Sequence, residues 1–213
     1  MGKLIHIKLY LIEFLLFYRY FFAIISLLVM SMFKKLNILD EKNKILRQIS
    51  KDVTFPLSKE DKKTIDQIIT HLTYSQIEEY SEKYDLRPGM GLAFVQLGML
   101  KRIIVIVDEY EEGKFDNYVV INPVIVSNSK EMIAAEAGEG CLSVNREVEG
   151  HVKRYARVTV EGYNIDGEKI KIRAREELAI AFQHEIDHLN GILFYDKIDK
   201  NKPFYTEDEL RLI

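Results

Sequence analysis

Five histidines occur in the 213-residue chain, and two of them fall in His184-Glu185-Ile186-Asp187-His188. On a helix, residues i and i+4 share a face with Cβ atoms roughly 5–6 Å apart, so the two imidazoles can close on one metal ion. Glu185 then projects beside that ion, where a carboxylate can take the proton of an activated water. Chance could place two surface histidines at this spacing, but their scarcity argues against it. A catalytic metal site also needs a third protein ligand and one open position. The longer protease motif H-E-x-x-H-x-x-G-x-x-H is matched through Gly191, but Phe194 stands where its third His belongs. That protease class is excluded. An acidic third ligand, as in another protease class, stays open because Glu207 and Glu209 exist. Their place beyond Pro203 better suits solvated side chains.

The other histidines read as ordinary residues: His6 in an N-terminal extension, His71 at the polar end of a helix, and His151 in a surface turn after Gly150. Cys141 is the single cysteine, so no intramolecular disulfide exists. A lone Cys usually behaves as a small buried hydrophobe. This one sits in Gly138-Glu139-Gly140-Cys141-Leu142-Ser143, where two glycines let the backbone approach another group closely. Its thiolate is a strong ligand for Zn²⁺ or Fe²⁺.

Several elements must hold these groups. Ser58 can cap a helix whose first turn carries Glu60 and Asp61, and Ile65, Ile68, Ile69 and Leu72 make its apolar stripe. The pattern dissolves after Tyr80 into a polar stretch ending at Arg87-Pro88-Gly89. Residues 103–107, 118–121 and 124–126 read as strands. Residues 157–163 and 168–173 form a hairpin turned at Asp166-Gly167. Residues 176–190 read as the metal-binding helix, with Gly191 at its C-terminal cap. The expected fold is α+β: short antiparallel strands packed around a C-terminal metal-binding helix, with an N-terminal helix.

Residues 1–33 differ in composition from the rest and form an apolar N-terminal extension, leaving residues 34–213 as a single catalytic domain. The longest uncharged run, 20–33, is shorter than the roughly 20 residues of a membrane-spanning helix, and no Ala-x-Ala-like cleavage site follows it. It could be a membrane anchor or an appendage packed on the domain. The favoured reading starts the natural chain at Met30 or Met32. The net charge of -3, with both signs interspersed, gives no reason to expect specific nucleic-acid binding.

Three segments, in this order, resemble the signature motifs of peptide deformylases. They are Gly89-Met90-Gly91-Leu92-Ala93-Phe94-Val95-Gln96, Glu139-Gly140-Cys141-Leu142-Ser143 and Gln183-His184-Glu185-Ile186-Asp187-His188. The first departs from G-x-G-L-A-A-x-Q at Phe94, and Val95 is also unusual there. The resemblance covers roughly residues 39–202. The polar insertion before Gly89 and the short tail resemble the type II subgroup. It implies a metal held by Cys141, His184 and His188, with Fe²⁺ the usual ion and Zn²⁺, Ni²⁺ or Co²⁺ as substitutes. It implies Glu185 as proton shuttle, with the Gln96 amide and the Leu142 N–H as oxyanion donors. Gly91 and Gly140 are then backbone contacts to the substrate, and Met90 lines the methionine pocket. The implied reaction removes the formyl group of a nascent formyl-Met peptide in the cytoplasm, with a transient encounter with the ribosome. The rivals are an H-E-x-x-H metalloprotease, a structural zinc module, and a metal-binding relative with weak turnover, the last resting on Phe94 and Val95.

Overall fold

The computed structural model describes residues 33–213. The reading of the N-terminal extension therefore falls, for residues 1–32, outside the described residues. Residues Leu36–Ile213 cluster as one unit. Among the described residues, no helix is long and apolar enough to cross a membrane.

Helix α1 spans Lys59–Gln76, and the Ser58 side chain accepts the Asp61 N–H at 3.0 Å, the cap expected from the sequence. Ile77, extended at φ -102, ends it. A second short helix, α2, follows at Glu78–Tyr84. It corrects the expectation of an irregular polar stretch here. Its seven residues bury nothing, so no apolar stripe announced it.

Five strands form the main sheet, in the order β1 (Gly91–Ala93), β2 (Ile103–Glu111), β3 (Lys114–Asn128), β6 (Arg157–Tyr163) and β7 (Lys169–Arg175). All its pairings are antiparallel. The two strands expected within 118–126 are one strand, β3, bent by an irregularity between Ile121 and Val124. Asn122 sits there at φ 53, followed by Pro123, which has no N–H to give the ladder. The expected hairpin is β6–β7, with Gly167 at φ +84 in its turn.

Helix α3, Glu176–Leu189, packs on one face of this sheet and α1 on the other. Strand β2 shows why its apolar run is continuous. Ile103, Val105 and Val107 face the cluster holding Ile65, Ile68 and Leu72 of α1. Ile104 and Ile106 face the cluster holding Ala179, Phe182, Ile186 and Leu189 of α3. Period-two alternation thus feeds two cores at once.

A small second sheet was not expected. It joins β5 (Arg154–Tyr155), β4 (Met132–Ala134) and β8 (Arg211–Leu212), and β8 runs parallel to β4. Two histidines are also corrected. His71 is buried on the core side of α1, not at a polar end, and its Nδ1 accepts the Leu36 N–H. His151 is buried, not in a surface turn, and its Nδ1 accepts the Tyr205 N–H at 3.0 Å.

Candidate active site

Helix α3 buries ten of its fourteen residues, and Gln183, His184, Glu185, Asp187 and His188 are among them. Five polar side chains buried on one helix need partners, and the partners define the site. Gln183 closes a two-way link to strand β5: its Oε1 accepts the Tyr155 N–H at 3.0 Å, and its Nε2 donates to the Tyr155 carbonyl at 3.0 Å. His184 and His188, one turn apart, place their Nε2 atoms 3.2 Å from each other.

The third group arrives from the segment between β4 and β5. Cys141 Sγ lies 3.3 Å from His188 Nε2. The ligand atoms of Cys141, His184 and His188 all fall within 4.8 Å of one another. Bonds of ~2.3 Å to sulfur and ~2.0–2.1 Å to nitrogen at tetrahedral angles separate ligand atoms by roughly 3.3–3.6 Å, so the set fits one small divalent ion. The electrostatics agree. Burial opposes a charge on His184, yet hydrogen bonds with Cys141 and Glu139 and the charges of Cys141 and Glu185 hold its pKa well above the ordinary value. Burial and the His184 charge push His188 well below it.

Glu139 opens the second motif, which by itself assigns it no role. Its Oε2 lies 2.8 Å from His184 Nδ1, leaving Nε2 free for an ion. The Arg154 side chain, 1% exposed, donates to both Glu139 oxygens at 2.7 and 2.9 Å and reaches Asp187 at 2.5 Å. Lys197 joins Asp187 from outside at 2.9 Å. Burial alone would raise the Glu139 carboxyl, but Arg154 and His184 outweigh it and hold it at about 2. Partners 15 and 33 residues away leave no local pattern to read.

Glu185 is 4% exposed, and its Oε2 is buried with no partner among the described residues. Burial raises its pKa, partly offset by His184, to about 7. That suits a group that both takes and returns a proton near neutrality. A Cβ on Gly91 would lie 2.5 Å from Glu185 Oε1, so only glycine leaves this carboxylate its place.

Gln96 is 1% exposed. Its Oε1 accepts the Ala93 N–H at 2.8 Å, which turns the amide NH₂ toward Ser143 Oγ (3.2 Å) and Cys141 Sγ (3.7 Å). Met90, Gly91, Gln96, Gly140, Cys141, Leu142, His184 and Glu185 all line one cleft of about 1080 Å³, with His188 fully buried beside them. A Cβ on Gly140 would meet nothing within 4 Å, so its backbone borders open space. Phe94 and Val95 point elsewhere. Phe94 packs with α1 in one core and Val95 with α3 in the other, and neither lines the cleft. Glu209 pairs with Lys202 at the exposed surface and is no part of the ligand set.

An α+β frame with a buried histidine pair, a cysteine sulfur and a free carboxylate defines a metal-dependent hydrolase. The sequence profile of the polypeptide deformylase family matches residues 35–204. Peptide deformylase 2 of Bacillus cereus is 44% identical over 173 residues, covering 81% of this chain and 94% of that one. A peptide deformylase of Halalkalibacterium halodurans is 48% identical over 163 residues, covering 76% and 90%. Among solved structures, the Thermotoga maritima peptide deformylase matches with a TM-score of 0.62 and 33% identity, covering 78% of this chain and 99% of that one. A class I type b peptide deformylase of Acinetobacter baumannii, bound to Met-Ala-Ser, matches at 0.62 and 28%, covering 78% and 100%. The chain belongs to the peptide deformylase family, metal-dependent hydrolases that remove the N-formyl group from nascent peptides.

Proposed function

We propose that residues 34–213 form one catalytic domain in which Cys141, His184 and His188 hold a single Fe²⁺, with Zn²⁺, Ni²⁺ or Co²⁺ as substitutes. The observation that carries this is the meeting of one sulfur and two imidazole nitrogens beside a buried carboxylate. An ion held there acts as a Lewis acid that makes water a nucleophile near neutral pH.

The chain's own groups do the rest. Glu185 takes a proton from water and returns it to the leaving amine, so formyl amide and water become formate and a free N-terminus. The Gln96 amide and the Leu142 N–H donate to the oxygen that gains charge. Gly91 and Gly140 let the peptide main chain approach, and Met90 lines the pocket for the methionine side chain, a flexible thioether wall for a flexible thioether guest. Met-Ala-Ser, bound by the Acinetobacter baumannii relative, is chemically a deformylated product. Helix α2, which falls within the polar insertion before Gly89, supports the type II subgroup. The enzyme works in the cytoplasm on chains leaving the ribosome.

The test is mass spectrometry of formyl-Met-Ala-Ser and of a blocked internal peptide, each incubated with anaerobically prepared protein. Formate with intact Met-Ala-Ser supports the reading. Cleavage of internal bonds without formate release would replace it with the metalloprotease.

A further inference from the structure

The Cys141–Ser143 segment belongs to no strand or helix, yet it carries a ligand sulfur and a backbone donor whose direction matters. Arg87 holds it from outside. Its guanidinium donates to the Val144 carbonyl at 2.9 Å, lies 3.5 Å from the Cys141 carbonyl and makes a close contact to the Leu142 carbonyl. One planar fork therefore spans three carbonyls of four consecutive residues.

Arg87 is itself firmly based. Pro88 restricts it to an extended backbone. On one side Leu86 is buried and its N–H donates to the Ser81 carbonyl at 2.8 Å. On the other, the Gly89 N–H donates to Ser75 Oγ of α1 at 3.2 Å.

The peptide bond makes this arrangement consequential. The Cys141 carbonyl and the Leu142 N–H belong to one planar unit and point in opposite directions. Donors on the carbonyl side therefore set the direction of the N–H on the opposite side. The Val144 N–H, at 3.1 Å, is the other donor to that carbonyl. A cation there also polarises the unit and strengthens its N–H as a donor.

We propose that Arg87 is a positioning residue for deformylation, holding the Cys141–Leu142 peptide so that the Leu142 N–H faces the oxygen that gains charge. This rests on the deformylase reading of the site. Removing an oxyanion donor outright typically costs about 10²–10³ in rate. Loosening one should cost less, about 10- to 100-fold.

The experiment compares Arg87→Gln and Arg87→Lys holoenzymes with wild type for kcat, KM, metal content and the Kd of two peptides. One peptide is the neutral product Met-Ala-Ser. The other carries an anionic phosphonate in place of the formyl group. Arg87→Gln should keep its metal and bind the product within about twofold of wild type. Its kcat should fall, and phosphonate affinity should fall by a similar factor. Arg87→Lys, which keeps the charge but loses the fork, should fall between the two. Unchanged kcat and phosphonate affinity overturn the proposal. So does a rate loss explained by lost metal, or by equal weakening of both peptides. If Arg87→Gln does not fold, Arg87→Lys decides by the same comparison. Formate release by wild type in that assay separately tests the reading beneath it.

Discussion

The two imidazoles and the Cys141 sulfur reach one point from two unlike regions. Helix α3 presents His184 and His188 through its own hydrogen bonds, and its Ala179, Phe182, Ile186 and Leu189 seat it on the sheet. The Cys141–Ser143 segment has no ladder of its own. The Glu41 N–H donates to the Ser143 carbonyl at 2.7 Å, Gln96 reaches Ser143 Oγ, and Arg87 grips three carbonyls. The histidine pair sits on a helix packed along its length. The irregular segment is held instead by contacts that arrive from separate parts of the chain.

Removing a ligand from the irregular side should have the largest effect. Cys141→Ala deletes the proposed sulfur ligand, so metal content and turnover should collapse together, read by metal analysis and formate release. Full metal occupancy in that variant would reopen the search for an acidic ligand. Glu185→Gln probes the helix side without touching a ligand. It should keep its metal while turnover drops by about 10²–10⁴. Near wild-type hydrolysis would remove Glu185 from the mechanism.

Glu139 joins the two regions, since it precedes Cys141 and orients His184. Glu139→Gln should weaken metal affinity by about 10- to 100-fold, measured by competition with a chelator. The native carboxyl titrates at about 2 instead of 4.5, because Arg154 and His184 outweigh the burial that would raise it. A depressed folded pKa adds stability above pH 4.5 that is lost as pH falls toward 2. The contribution is on the order of 3 kcal/mol. Metal-free protein should therefore lose melting temperature across that window, and Glu139→Gln should flatten the loss. An equally steep loss in both proteins would assign the acid sensitivity elsewhere.

The smallest effect is expected at the N-terminus. A chain starting at Met32 keeps the Leu39 N–H on the Gln96 carbonyl and Glu41 on Ser143, so its turnover should match the full chain. Starting beyond Glu41 removes both tethers and should lower turnover in the soluble fraction. Activity recovered only in the membrane fraction, and lost from it in the Met32 form, would instead make residues 1–31 an anchor.

Legibility divides along the same line. The helix pair, the capped α1, the β6–β7 hairpin and the buried alternation of β2 follow periods of 3.6 or 2, which local sequence displays. Cys141 was legible through the glycines and motif around it. The small β5–β4–β8 sheet was not, because two- and three-residue strands take their register from tertiary contacts. Arg154 and Glu139 were not, because charge pairing across the fold has no period. Phe94 and Val95 depart from the first motif at positions that face the two cores. Both fill core, and neither lines the cleft.

The central claim is that one ion bound by Cys141, His184 and His188 drives deformylation. The most direct measurement is anaerobic titration of metal-free protein with Co²⁺, following near-ultraviolet thiolate-to-metal charge-transfer absorption and formate release in the same samples. Both signals should rise together and saturate at about one ion per chain, as a single three-ligand site requires. The absorption should vanish in Cys141→Ala and persist in Glu185→Gln, which releases little formate. Charge-transfer absorption retained in Cys141→Ala, or formate release that saturates without it, would contradict the account.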